Sequence, residues 1–209
     1  QYTDEGTFNA FATHLERLKD MGVGVLWLMP IFPISHTNRK GTLGSYYAVS
    51  DYKSINPEFG KKKDFINLVR SIHKLGMRVI IDWVPNHTGW DHPWIQSRKD
   101  FYTLTKDGQV SEPLNSQNQP LGWEDVADLN YDNEAMRETM IADMMYCLTE
   151  YNIDGFRQDM AMLVPIDFWQ EANRRLRAVK PDILLLAESE DPTHSETGHF
   201  NLVYSWSLH

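Results

Sequence analysis

The sequence has little cysteine, no long apolar run and no excess of basic residues. One cysteine, Cys147, stands among 209 residues, so neither an internal disulfide nor a cysteine-based zinc cluster is expected. No apolar run approaches the ~18 residues of a membrane-spanning helix, and no signal peptide opens the chain. A missing signal says nothing about location, so secreted, periplasmic and cytoplasmic locations all stay open.

The charge and histidine patterns exclude further classes of function. The formal net charge is −9, which argues against nucleic acid as a partner because phosphate binding requires clustered lysine and arginine. The 8 histidines show no HxxxH spacing, so a histidine-based metal motif is absent from the sequence. The chain has 42% hydrophobic residues, enough for the core of one ordinary domain. We expect neither a membrane nor a nucleic acid as its partner.

Apolar runs alternate with helical patterns along most of the chain. The runs predict strands at 25–29, 78–82, 153–159, 183–188 and 201–204. Apolar residues at helical spacing predict helices at 8–18, 65–75, about 134–150 and 165–180. Because parallel neighbours need a crossover connection, this alternation predicts an α/β fold with a parallel sheet. The polar stretch 84–131 is too long for a simple connection and predicts a functional excursion or small subdomain.

Three predicted strands end on a carboxylate, at Asp82, Asp159 and Glu188. In α/β architectures ligands bind at the carboxyl ends of strands, whereas a single acid there is as often a helix cap. Asp159 and Glu188 are separated by about one βα unit, so they are expected on neighbouring strands. Two carboxylates facing one pocket can act as nucleophile and general acid/base, the arrangement that cleaves glycosidic bonds.

Arg157 and Asp159 lie two residues apart and therefore share one strand face. A neighbouring guanidinium is expected to lower the pKa of Asp159 and keep it ionised, which suits a nucleophile. A structural ion pair is the competing interpretation.

Aromatic side chains in predicted loops or at strand ends could stack on sugar rings, although scattered aromatics more often belong to a core. These candidates are Tyr46, Tyr47, Trp83, Trp90, Trp94 and Trp123.

Five motifs, in order along the chain, resemble those of the α-amylase family of glycoside hydrolases (family 13). They are YAVSDYKSINPEFG (47–60), DWVPNH (82–87), VADLN (126–130), GFRQD (155–159) and LLAE (185–188). The resemblance implies a (β/α)₈ TIM-type barrel with 84–131 as an inserted domain B-like excursion. Residues 1–83 would hold the region of barrel strands 2 and 3, and residues 132–209 that of strands 4 to 6.

The resemblance also implies a retaining mechanism on the α-glucosidic bonds of α-glucans or maltooligosaccharides. Asp159 would be the nucleophile and Glu188 the acid/base, with Arg157 orienting Asp159. His87 would bond the reacting sugar, Tyr47 would stack beneath it and Asp82 would support the site. The chemistry needs no cofactor. In calcium-binding members, the positions that match Asn86 and Asp128 bind the ion, so a structural calcium is a further expectation.

The sequence departs from the family pattern in two places. Met162-Leu163 stands where many amylases carry a Lys-His pair, which removes one sugar contact and one calcium contribution. No Asn-His-Asp motif follows Glu188, and the opening QYTDEGTF resembles the loop after the first barrel strand. We therefore expect the central part of a catalytic barrel, incomplete, with about strands 2 to 6. Its open edges would favour self-association, and by itself it would have little or no activity.

Two alternatives remain open at this point. The same site could transfer glucosyl groups to a sugar or phosphate acceptor rather than to water. A non-catalytic relative could keep the barrel for carbohydrate binding or as a partner subunit. Such a relative should have lost the nucleophile or the acid/base, whereas Asp159, Arg157 and Glu188 are all present.

Overall fold

A five-stranded parallel sheet forms the centre of the molecule. The structure, a computed structural model, describes residues 6–115 and 117–208. Within them the sheet consists of β1 (Val25–Leu28), β2 (Arg78–Trp83), β5 (Gly155–Gln158), β6 (Leu184–Ala187) and β7 (Leu202–Val203), in that order. All its neighbouring pairs are parallel, as the alternation of strands and helices predicted. The opening residues 1–5, and with them part of the QYTDEGTF comparison, lie outside the described residues.

Two helices precede β1, and the others lie in the connections that follow it. They are α1 (Phe8–Ala12), α2 (Leu15–Asp20), α3 (Lys62–Lys74), α4 (Trp94–Ser97), α5 (Glu134–Glu150), α6 (Ile166–Val179) and α7 (Thr193–Glu196). Asn133 caps α5, because its side chain accepts a hydrogen bond from the Met136 amide. Among the described residues, no helix combines the length and apolar character required to span a bilayer.

The prediction of a single helix at 8–18 is wrong, because this stretch forms two helices, α1 and α2. The hydroxyl of Thr13 donates to the carbonyl of Ala10 at 2.7 Å, a local bond that competes with continued helix.

The outer face of the sheet carries the core. Successive side chains along each strand point to opposite faces of the sheet. Val79, Ile81 and Trp83 of β2, with Phe156 of β5 and Leu185 of β6, are fully buried on one face. They belong to one apolar cluster with the buried stripes of α3, α5 and α6. The indole of Trp83 donates to the sulfur of Met140 on α5 at 3.3 Å, which joins this face of the sheet to its helices.

The opposite, inner face is polar at the carboxyl ends of the strands and apolar towards their amino ends. Asp82 is in register with Arg157, so both side chains lie on this face. Trp27 of β1 shares the face and is 45% exposed, and Leu202 of β7 is 56% exposed. On β1 and β7 the inner face is therefore partly open, whereas on the central strands Asp82 and Arg157 are buried there too.

The region 84–131 contains a separate two-stranded antiparallel sheet. Its strands are β3 (His87–Gly89) and β4 (Val126–Asp128), and His87 pairs with Asp128. The close approach at Gly89 requires glycine, because a Cβ there would overlap the Ser35 hydroxyl and the Ala48 carbonyl oxygen. These contacts fix the start of the region against the loop that follows β1.

Candidate active site

Three carboxylates converge at the carboxyl ends of adjacent strands. Asp82 lies near the end of β2, Asp159 directly after β5 and Glu188 directly after β6. Because β2, β5 and β6 are parallel neighbours, their carboxyl ends meet at one edge of the sheet. The expectation that Asp159 and Glu188 lie on neighbouring strands is confirmed by the pairing of β5 with β6.

One guanidinium binds all three carboxylates. Nη1 of Arg157 donates to Oδ1 of Asp82 at 2.9 Å and to Oδ1 of Asp159 at 2.8 Å. Nη2 of Arg157 lies 2.8 Å from Oε2 of Glu188. Nε donates to the hydroxyl of Tyr204 at 3.1 Å. The side chains of Arg157, Asp82 and Asp159 are 5%, 0% and 7% exposed, so the group is an ion cluster shielded from water.

Burial changes the protonation of the cluster. It raises the pKa of Asp82 to about 6 and that of Asp159 to about 7, while Arg157 acts in the opposite direction on both. The expectation that Arg157 would lower the pKa of Asp159 overall is therefore wrong. The physical reason is that desolvation disfavours the charged form, and that one cation is shared with the like charges of Asp82 and Glu188.

Asp159 has one carboxylate oxygen available. Its Oδ1 accepts from Arg157, whereas Oδ2 is buried and accepts no hydrogen bond from any residue that the structure describes. A buried carboxylate oxygen without a partner is energetically unfavourable unless something else approaches it. Asp159 also lines a pocket, so this oxygen can approach a ligand there.

Glu188 is held by the turn that follows Asp159. The Met160 amide donates to Oε2 of Glu188 at 2.8 Å. Met160 adopts a left-handed backbone with φ 45°, which costs a non-glycine residue roughly 1–2 kcal/mol. The turn is fixed because the carbonyl of Ala161 accepts from the Trp169 indole at 3.0 Å and contacts the His194 ring at 3.2 Å. Backbone strain here thus positions a carboxylate.

A pocket of about 330 Å³ opens beside the cluster. Its lining residues are Lys40, Ser45, Tyr47, His87, Trp123, Asp125, Val126, Asp159 and Met160. The Tyr47 hydroxyl donates to Oδ2 of Asp82 at 3.3 Å, which links the pocket to the ion cluster. Burial lowers the pKa of His87 to about 4, so its ring is neutral at pH 7 and can either donate or accept a hydrogen bond.

The predicted aromatic residues divide between this pocket and the core. Tyr47 and Trp123 line the pocket, and the rings of Trp123 and His87 lie 5.8 Å apart. Trp83 is fully buried on the outer face, so its assignment as a sugar-stacking candidate is wrong. Trp94 packs against the core, and Tyr46 lines a separate apolar pocket near α1.

The two predicted calcium ligands lie on neighbouring segments. Asp128 pairs with His87, next to Asn86, and the Asn86 carbonyl accepts from the Leu129 amide at 3.1 Å. Burial raises the pKa of Asp128 to about 6. Among the described residues no basic side chain forms an ion pair with Asp128, and a hydrogen bond with the Thr103 side chain acts against the effect of burial on its pKa. Across the described residues, no group of three or more His, Cys, Asp or Glu side chains could hold a metal.

Sequence reasoning missed two side chains that contact the cluster. The indole of Trp27 donates to Oδ2 of Asp82 at 3.1 Å, and its ring lies 5.1 Å from the Arg157 guanidinium. The other is Tyr204, which accepts from Arg157. Trp27 sits inside an apolar run and Tyr204 ends one, so neither stands out in the sequence. Once the strand register is known, alternation along the strands places both on the same face as Asp82 and Arg157.

Comparisons with known proteins agree on one family. The family model for the alpha amylase catalytic domain matches residues 2–203. Alpha-amylase 3 from Dictyoglomus thermophilum is 31% identical over 207 residues, which cover 89% of this chain and 40% of the relative. An alpha-1,4-glucan:maltose-1-phosphate maltosyltransferase from Arcanobacterium haemolyticum is 30% identical over 202 residues, covering 88% of this chain and 28% of the relative.

A solved structure shows the same fold. The crystal structure of an alpha-amylase from Lactobacillus plantarum superposes with a TM-score of 0.91 at 36% identity, covering 99% of this chain and 51% of that one. The expected TIM-barrel architecture is thereby confirmed, with five barrel strands among the described residues. The chain spans 40% of the length of the Dictyoglomus thermophilum relative and 28% of the length of the Arcanobacterium haemolyticum relative.

Proposed function

Because this chain belongs to the alpha-amylase family of glycoside hydrolases, we propose that its site cleaves α-glucosidic bonds in α-glucans or maltooligosaccharides with retention of configuration. The observation that carries the proposal is the double contact of Arg157, which binds both Asp159 and Glu188 at 2.8 Å. The shared guanidinium holds both carboxyl groups at one site, where one can act as nucleophile and the other as acid/base on the same bond. Retention of configuration is proposed from membership of the family.

The reaction proceeds in two steps. Oδ2 of Asp159 attacks the anomeric carbon while Glu188 gives its proton to the departing glycosidic oxygen, which leaves a glycosyl ester on Asp159. Glu188, now ionised, takes a proton from water, and the resulting hydroxide attacks the anomeric carbon. The ester bond breaks, Asp159 is released and the product keeps the α-configuration.

The surrounding side chains prepare these steps. Arg157 orients Asp159 through Oδ1 and leaves Oδ2 for attack. Neutral His87 bonds a hydroxyl of the reacting sugar, and the ring of Tyr47 stacks beneath it. Asp82 supports the site by fixing Arg157, and Tyr47 bonds Asp82 in turn. The substrate excludes water from the pocket and so strengthens each of these contacts.

Asn86 and Asp128 would hold a structural calcium if the protein uses one, since both present the oxygen atoms that this ion prefers. The ion would compensate the buried charge of Asp128 and tie β3 to β4. A Tm that falls on adding a chelator, and is restored by calcium but not by magnesium, would support the site. An unchanged Tm would reject it.

The proposed reaction is tested by the anomer that the site releases from maltooligosaccharides, followed by NMR immediately after cleavage. We expect the α-anomer from the wild-type chain and none from Asp159→Asn. Release of the β-anomer, or equal release by Asp159→Asn, would reject the retaining mechanism. We expect the rate of the 209-residue chain alone to be low, since it spans under half the length of its curated relatives. Full amylase turnover by the isolated chain would contradict that expectation.

Glucosyl transfer is the second candidate activity, because one relative bears the name of a maltosyltransferase. Transfer uses the same glycosyl ester on Asp159 and differs only in which acceptor attacks it. Products formed with maltose or orthophosphate added as acceptor separate the two activities: an elongated sugar or a sugar phosphate indicates transfer, and free sugar alone indicates hydrolysis.

We infer that the division of the chain follows the sequence expectation, with barrel regions at 1–83 and 132–209 and a domain B-like excursion at 84–131. We also infer that the isolated chain self-associates. Within the described residues β1 and β7 each pair with one strand only, and Val25 and Trp27 of β1 are 43% and 45% exposed. Sedimentation velocity that shows only monomer across a wide concentration range would contradict self-association.

A further inference from the structure

One ion pair at the pocket has no part in the proposed bond cleavage. Nζ of Lys40 lies 3.0 Å from Oδ1 of Asp125 and donates to the carbonyl of Gly122 at 3.2 Å. Lys40 belongs to the loop between β1 and α3, whereas both partners belong to the 84–131 region. A single ammonium therefore binds both ends of residues 122–125, which we call the wall segment.

The wall segment presents Trp123 to the pocket. The Trp123 ring faces His87 edge-on, with centroids 5.8 Å apart and planes at 72°. From another side, the Trp90 indole donates to the carbonyl of Glu124 at 2.8 Å. Gly122 is exposed and has φ +76°, so the backbone on one side of Trp123 has wide conformational freedom. The bonds from Lys40 restrict that freedom.

Lys40 itself projects from an anchored loop. The carboxylate of Asp91 accepts from the amides of His36 and Thr37, at 2.6 Å and 3.2 Å, and from the Thr37 hydroxyl. The loop is thus tied to the start of the 84–131 region, and Lys40 ties it again to the end of that region. The wall segment is held from a fixed point.

We propose that Lys40 is a positioning residue for substrate: it holds Trp123 at the pocket wall, where the indole packs on a sugar ring of an α-glucan chain. This inference rests on the proposed function. Sugar rings present apolar C–H faces that aromatic side chains cover, and Tyr47 lines the same pocket. The ammonium of Lys40 has three donors, of which two serve the wall segment, so the third can bond a sugar hydroxyl.

The test uses the 209-residue chain labelled with 5-fluorotryptophan and maltotriose as ligand. Trp123→Phe assigns the fluorine signal of Trp123. Lys40→Met removes the charge and keeps the aliphatic stem, and Lys40→Arg restores a donor. Lys62→Met is the matched control, since Lys62 forms an exposed 2.8 Å ion pair with Glu150 on the helices.

We expect Lys40→Met to move the Trp123 signal in the free protein and to weaken maltotriose binding by about tenfold, the change equivalent to ~1.4 kcal/mol. Lys40→Arg should recover most of the affinity, and Lys62→Met should change neither signal nor affinity. A Lys40→Met chain with the Tm of the wild-type chain would exclude general unfolding as the cause; a Lys40→Met chain that unfolds is replaced by Lys40→Gln at the same readouts.

The outcomes that overturn the inference are distinct from those that overturn the proposed function. A wild-type chain that binds no maltotriose would reject the proposed function, and the inference with it. A wild-type chain that binds, while Lys40→Met binds equally well with an unmoved Trp123 signal, would reject the role of Lys40 alone.

Discussion

The two faces of the parallel sheet differ in burial and in chemistry. On the outer face, Val79, Ile81, Phe156 and Leu185 are fully buried against the helices. On the inner face, Asp82, Asp159 and Glu188 share the single cation Arg157. Apolar burial is the main source of stability, whereas buried like charges oppose it. The outer face therefore stabilises the fold, whereas the inner face carries the charge cluster to which we assign the proposed reaction.

The largest effect expected from this difference is on catalysis at the inner face. Asp159→Asn removes the proposed nucleophilic oxygen, and we expect turnover to fall by about 10³-fold or more, since each tenfold corresponds to about 1.4 kcal/mol of barrier. The midpoint of urea unfolding at pH 8 should not fall, because the substitution also removes a buried negative charge. A loss of turnover that is accompanied by an equal loss of folded protein would contradict the separation of the two faces.

The next effect should appear on the outer face as a loss of stability. Phe156→Ala leaves a cavity among fully buried side chains, and we expect it to lower the free energy of unfolding by about 4 kcal/mol. Leu202→Ala is the matched control on the inner face, where the side chain is 56% exposed, and should change stability by less than about 0.5 kcal/mol. Similar costs for both in urea unfolding would remove the distinction between the faces.

Gly155 lies on the inner face, yet we expect its substitution to cost as much stability as one on the outer face. A Cβ there would overlap the Leu184 carbonyl oxygen and push β6 away from β5. We expect Gly155→Ala to lower the free energy of unfolding by about 3 kcal/mol, in the range of overpacked sites. Gly24→Ala is the control, since a Cβ at Gly24 meets no atom within 4 Å. Equal stability of the two variants would show that strand spacing tolerates a methyl group.

The smallest effect concerns pH. The folded-state pKa of Asp159 is raised from 3.8 to about 7, so the native state binds more protons than the unfolded state between these values. Its contribution to stability therefore falls as pH rises through this window. We define the stability difference as the free energy of unfolding of Asp159→Asn minus that of wild type. This difference should be larger at pH 8 than at pH 5 by roughly 2 kcal/mol.

The same comparison cancels the titration of groups that make no contact with the ion cluster, whereas Asp82 and Glu188, whose charges act on Asp159, contribute to the measured difference. The pKa values of His87 and His92 are lowered to about 4, which acts in the opposite direction, but both residues are present in both proteins. Denaturant melts of the pair at pH 5 and pH 8 give the difference directly. A difference independent of pH would mean that the pKa of Asp159 is not raised.

Much of the sheet was predictable from local pattern, because each buried strand is a short apolar run next to a helical period. The pairing of β3 with β4 was not predictable. Each has three residues, too few for alternation to be recognised, and the pairing depends on contacts far apart in sequence. The break at Thr13 was missed because a side-chain hydrogen bond, rather than hydrophobic pattern, decides it.

The site was predictable in part for the same reason. Asp82, Asp159 and Glu188 were visible as acids at strand ends. Trp27 was not, since its contact with Asp82 joins positions 55 residues apart and appears only when the strand register is fixed. The net direction of the pKa of Asp159 was also hidden, because burial of a carboxylate is a property of the assembled sheet.

The sheet order has a consequence for how the chain folds. Its strands are adjacent in space in the order in which they are synthesised, so each can dock on the one before it. When only β1 and β2 have paired, Asp82 lacks its cation, because Arg157 belongs to β5. The charge of Asp82 is therefore compensated only after β5 has docked, so the residue that organises the proposed chemistry also joins the third strand of the sheet to the first two.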